Sequence, residues 1–116
     1  MLTPTLDRPH GSIETAADED LCPVAKTAAV IGSKWTLLII RDLAQGKKRF
    51  NELEKSLGGI SAKTLSERLR GLEHGGIINR RAYAEIPPRV EYDLTEKGQA
   101  LLLLIDNMRA YGERWL

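Results

Sequence analysis

Two adjacent-glycine pairs, Gly58-Gly59 and Gly75-Gly76, bracket a segment in which Leu65, Leu69 and Leu72 recur at i, i+4 and i+7. That spacing lines one face of an α-helix, and paired glycines set its limits because they favour turns over continued helix. The enclosed helix begins at Ser61, whose hydroxyl suits an N-cap, and reaches about His74. Upstream, Phe50, Leu53 and Leu57 fall at i, i+3 and i+7 in a second, shorter helix. Two helices joined by a tight turn containing glycine make a helix-turn-helix.

The flanking segments extend this plan. Residues 1–20 contain Pro4, Pro9 and Gly11 with no sustained apolar period, and read as a flexible acidic tail. The domain proper is read as residues 21–116. Cys22-Pro23 opens a helix to about Ile31, with proline tolerated in the first turn. Gly32 interrupts it, Ser33 caps the next helix, and the run WTLLIIRDL is too apolar for a helix with a single buried stripe, so that helix should be central. Gly46 ends it, in the manner of a left-handed C-terminal cap. Lys47, Lys48 and Arg49 form a connection or brief strand. Beyond the glycine-bounded helix, IINRRAYAEI and RVEYDL read as two strands, the second alternating Val90, Tyr92 and Leu94 with charged residues. Pro87-Pro88 lies between them and stiffens the hairpin tip. Thr95 caps a last helix running to the C-terminus. The order predicts a mainly α fold with a small β-hairpin, a winged helix-turn-helix.

A chain of 116 residues closes one ordinary core. No apolar run reaches the roughly 20 residues of a membrane span and no secretory leader is apparent, so a cytoplasmic protein with no membrane partner is expected. One cysteine excludes an intramolecular disulfide and builds no zinc site alone. The formal net charge of +1 conceals an uneven distribution. Residues 1–20 carry five Asp and Glu against one Arg, a net of −4, whereas residues 34–81 carry eleven Lys and Arg against five acids, a net of +6. Basic character concentrated around a helix-turn-helix points to double-stranded DNA.

With the three leucines inward, a rotation of about 100° per residue places Lys63, Glu67 and Arg70 outward and Thr64 and Ser66 on the flanks. Lys63 or Arg70 would donate to guanine, Glu67 would accept from cytosine N4, and Ser66 or Thr64 would meet base edges or a thymine methyl. The helix N-terminus at Ser61 offers backbone N–H groups to phosphate. The competing reading is a solvated charged face. In the hairpin, Arg80, Arg81 and Arg89 would grip phosphate or enter a minor groove, unless Glu85, Glu91 and Asp93 pair with them; that pairing is least expected for Arg89 beside the prolines. Lys47, Lys48 and Arg49 are backbone-contact candidates, or simple solubilising charge.

These residues carry a resemblance. Gly32 with Lys34-Trp35, then RFNEL, ISAKTLSERLRGLE, the Pro87-Pro88 turn and YDLTEKG occur in the order that resembles HxlR-type winged helix-turn-helix regulators, relatives of the MarR-like group, over about residues 22–116. The resemblance implies a homodimer joined by its N- and C-terminal helices. Physically, Leu101, Leu102, Leu104, Ile105, Met108, Tyr111 and Trp115 surround more than half of the last helix, more than one core buries, and favour association. The alternative is that they all pack within one subunit. Some HxlR-type regulators carry a cysteine just before the first helix and respond through it to oxidants, quinones or aldehydes. Cys22 is the matching candidate redox sensor, with an oxidant or small-molecule inducer as its partner; the helix N-terminus favours thiolate there, Asp18, Glu19 and Asp20 oppose it, and an inert thiol is the competing reading. Metal sensing through His10, Cys22 and His74 is disfavoured by their spacing, and no metal or other cofactor is expected.

No nucleophile triad, phosphate loop or dinucleotide fingerprint is present, so the chain is not read as an enzyme. It reads as a dimeric, sequence-specific transcription regulator on a pseudo-palindromic operator, and as a repressor, because occluding a promoter needs no further surface. The alternative is a winged helix that binds another protein and no DNA.

Overall fold

The computed structural model describes residues 22–116; the acidic segment 1–20, His10 included, lies outside them. The chain divides into two units at Gly32. Of the first, the described part is helix α1 (Pro23–Ile31), with Cys22 as extended N-cap and proline in its first turn. Gly32 closes it at φ 47°, donating its N–H to the Ala28 carbonyl at 2.8 Å.

The second unit begins at Ser33, whose hydroxyl accepts the Thr36 N–H at the start of α2 (Lys34–Leu43). Ile39 and Ile40 have no exposure, Leu43 is buried beside them, and Trp35, Leu37 and Leu38 are partly covered. That distribution makes α2 the central helix, touching α3 (Phe50–Ser56), α4 (Ala62–His74), α6 (Leu102–Trp115) and strand β3 (Arg89–Leu94). The helix stops earlier than a cap at Gly46 implies: Ala44 is its C-cap, and Gly46, at φ 127°, completes a following turn. Lys48–Arg49 does form a strand, β1, pairing antiparallel with β3.

The helix-turn-helix is α3, the turn through Gly58-Gly59, and α4. Leu53 and Leu57 on one side and Leu65, Leu69 and Leu72 on the other are buried in the same core, joined by Ile60 from the turn. Asp42 adds a polar tie: its buried carboxylate accepts from Arg41 at 2.9 Å and from Ser56 Oγ at 2.6 Å, linking α2 to α3. Gly76, at φ 77°, turns the chain into β2 (Ile78–Tyr83), shorter than the ten-residue strand read from the sequence. Strand order is β1-β3-β2, and β2 pairs with β3 from Ile78↔Leu94 to Tyr83↔Arg89. Only Ile77, Ile78, Tyr92 and Leu94 at its base are buried, so the hairpin extends outward as a wing.

The final helix is interrupted. Thr95 caps a single turn, α5 (Glu96–Gln99), accepting from Gly98 N–H, and α6 starts only after Ala100-Leu101. The turn before the break is closely packed. A Cβ on Gly98 would collide with the Ile77 carbonyl oxygen and crowd Leu94. The Thr95 hydroxyl also donates to the Gly76 carbonyl, and Lys97 Nζ donates to that of Gly75, so α5 is fastened to the end of α4. The architecture is a winged helix-turn-helix, mostly helical, with a small antiparallel sheet.

Candidate nucleic-acid interface

Helix α4 presents the face its leucine spacing predicts. Lys63, Glu67 and Arg70 are exposed, while Thr64 and Ser66 are half-buried on the flanks. The Ser61 hydroxyl accepts the Thr64 N–H at 3.0 Å and lies 3.0 Å from Thr64 Oγ1, so these two side chains are committed to capping the helix. The cap satisfies the Thr64 N–H, and the preceding N–H groups of the first turn have no intrahelical partner. Lys63, Glu67 and Arg70 remain as exposed side chains, with half-buried Ser66 beside them. His74, which leucine spacing alone does not single out, is exposed on the last turn of the same helix.

The wing sorts its cations differently from the expectation. Arg89, the arginine least expected to pair, is the most engaged: it contacts Glu85 at 2.9 Å and Glu91 at 3.8 Å, lies 3.9 Å from the centre of the Tyr83 ring, and is only 28% exposed. The proline turn folds Glu85 back toward Arg89, which sequence distance from the opposing strand's acids did not reveal. Arg81 pairs with Asp93 at 3.2 Å across the strands, and Lys47 approaches Glu91 at 3.7 Å. Among the described residues, Lys48, Arg49 and Arg80 have no acid within salt-bridge reach, nor do Lys63 and Arg70 on α4.

Between α4 and the wing lies a polar notch of about 240 Å³, lined by Ser66, Arg70 and Glu73 from the helix and by Arg80 and Tyr92 from the strands, with Leu69 at its floor. Arg80 stands opposite Tyr92 in the sheet register. Residue order does not announce this juxtaposition, because it depends on how the wing folds back against α4.

The predicted dimer surface divides in two. Ile105 is buried and Leu101 and Leu102 pack against the protomer's own core, so these three serve the fold. Leu104 is half-buried; Met108, Tyr111 and Trp115 are 47%, 61% and 62% exposed, and Leu103, absent from the sequence-based set, is exposed as well. An apolar groove of about 310 Å³ runs between α2 and α6 beside Leu37, Leu38, Ile105 and Met108. In the first unit, Cys22 is exposed at the start of α1. Among the described residues no group of three or more metal-ligating side chains occurs, and no single helix is long and apolar enough to cross a membrane.

Comparison with known proteins places this geometry among transcriptional regulators. The HxlR-like helix-turn-helix family model matches residues 30–116. The uncharacterized HTH-type transcriptional regulator YdeP of Bacillus subtilis is 40% identical over 109 residues, spanning 94% of this chain and 85% of YdeP. A solved structure described as a MarR-family regulator from Porphyromonas gingivalis superposes with a TM-score of 0.81 at 38% identity, covering 90% of this chain and 98% of that one. The oxidized form of the redox regulator HypR superposes with a TM-score of 0.76 at 42% identity, covering 80% and 96%.

Proposed function

This chain belongs to the HxlR-like helix-turn-helix family, and from that premise we propose that it is a sequence-specific, DNA-binding transcription regulator that acts as a homodimer. The observation that carries the reading is the outward face of α4, where Lys63, Glu67 and Arg70 stand exposed above three buried leucines. A helix so placed enters the major groove, with residues near its N-terminus meeting base edges. Two protomers related by a two-fold axis present their recognition helices about 34 Å apart, to an inverted repeat. The exposed Met108, Tyr111 and Trp115 of α6 supply the apolar surface for that pairing. Repression by promoter occlusion is the simplest output of such a dimer in the cytoplasm, and no catalytic chemistry is assigned to it. Exposed Cys22 is the site through which oxidants or electrophiles would act, a reading supported by similarity to a redox regulator.

The test compares wild type and Lys63→Ala on a duplex selected by the protein and on a scrambled duplex, across a salt series. Wild-type affinity should fall steeply with salt, with a slope reflecting roughly 6 to 10 phosphate contacts. Lys63→Ala should lose about 1 to 3 kcal/mol on the selected duplex and much less on the scrambled one. Equal losses would move Lys63 to the DNA backbone. Absence of duplex binding by the wild type at low salt would instead favour a protein-binding winged helix that uses the exposed aromatic residues of α6.

A further inference from the structure

We infer that the notch between α4 and the wing is a DNA-phosphate clamp, in which Arg70 and Arg80 hold one backbone phosphate together, and that Arg70 is therefore a positioning residue. The inference rests on the DNA-binding reading and refines it. Two observations from the structure carry it. First, Arg70 and Arg80 come from different elements yet line the same polar notch, with the Ser66 hydroxyl beside them. Second, the wing's other arginines are occupied by acids, Arg81 by Asp93 and Arg89 by Glu85 and Glu91, whereas no carboxylate of the described residues lies within salt-bridge reach of Arg70 or Arg80. Glu73 also lines the notch and opposes an anion there, which leaves two cations against one acid.

Helix geometry separates Arg70 from the base-reading end. At about 1.5 Å rise per residue, Arg70 lies roughly 10 Å beyond Lys63 along the axis, a distance comparable to the width of the major groove, about 12 Å. A helix whose first turns reach base edges thus carries Arg70 to the groove's rim, where the sugar-phosphate chain runs. The Arg guanidinium suits that place, since its planar fork binds phosphate oxygens in pairs. Lys63 and Glu67 are left to the bases, and the clamp fixes the angle at which they arrive.

The experiment is a double-mutant cycle on the full-length protein, using Arg70→Ala, Arg80→Ala and the double variant. Each is titrated against a selected duplex and a scrambled duplex of equal length over a salt series. Each single variant should lose about tenfold on both duplexes alike and show a salt slope shallower by roughly 1 for each phosphate no longer neutralised. The double variant should lose far less than the product of the single losses, because both side chains serve one phosphate. Arg80→Lys should retain more affinity than Arg80→Ala. The clamp is overturned if Arg70→Ala weakens only the selected duplex, if Arg80→Ala changes neither, or if the two losses multiply. A wild type that binds neither duplex at low salt overturns the DNA-binding reading itself, a separate result.

Discussion

Arg80 and Arg89 belong to one hairpin yet meet different surroundings, and only coordinates distinguish them. The sequence shows three arginines and three acids on the hairpin, but which acid faces which arginine depends on strand register and on how the proline turn closes. Arg89 stacks on Tyr83 and binds Glu85, so its charge is largely spent within the wing. The outward placement of Lys63, Glu67 and Arg70 was legible because helical periodicity fixes it once the leucines face inward. Asp42 was not legible. In the sequence it is one acid of a basic segment; in the fold it is buried between Arg41 and Ser56. Cys22 supports a prediction at this scale. It is exposed and its side chain makes no cap hydrogen bond, so Cys22→Ser should leave duplex affinity within about twofold of wild type, the usual range for a surface change. The same substitution should abolish loss of binding caused by diamide or a quinone. A variant that still responds, or a wild type that never does, rejects the sensor role.

The elements themselves were mostly visible, since apolar period, N-cap residues and glycine turns are local signals. Ser33, Ser61 and Thr95 all cap the helices they precede. The break between α5 and α6 was hidden, because a continuous apolar run from Leu101 to Ile105 suggests one helix. The close approach just before it was hidden too: Gly98 lies against the Ile77 carbonyl, next to the end of α4. Glycine there serves close approach. Gly98→Ala should therefore destabilise the protein by about 2 kcal/mol or more, since added volume in a packed site must displace backbone. A lowered denaturant midpoint with an unchanged m-value would register this. An unchanged midpoint would show that α5 is not pressed against Ile77. Because Thr95 and Lys97 also bind the carbonyls that end α4, the same junction ties α4 to the C-terminal segment.

For the whole molecule, the basic middle of the chain and the apolar C-terminal helix answer different needs. In the proposed regulator the first would supply attraction to DNA, while exposed Met108, Tyr111 and Trp115 would supply a surface for a second copy. One protomer would offer a short reading surface; two, held by a symmetry axis, would read two half-sites on one face of the duplex. Sequence showed the breadth of this apolar surface but not how the fold divides it: Ile105 is buried and Leu101 and Leu102 pack against the core, while Met108, Tyr111 and Trp115 stay exposed. The most direct test of the account is selection of bound duplexes from a random library by the purified full-length protein, followed by sequencing. An inverted repeat with half-site centres about 10 to 10.5 base pairs apart is the predicted outcome; recovery of no enriched sequence, or of a lone asymmetric half-site, would contradict it.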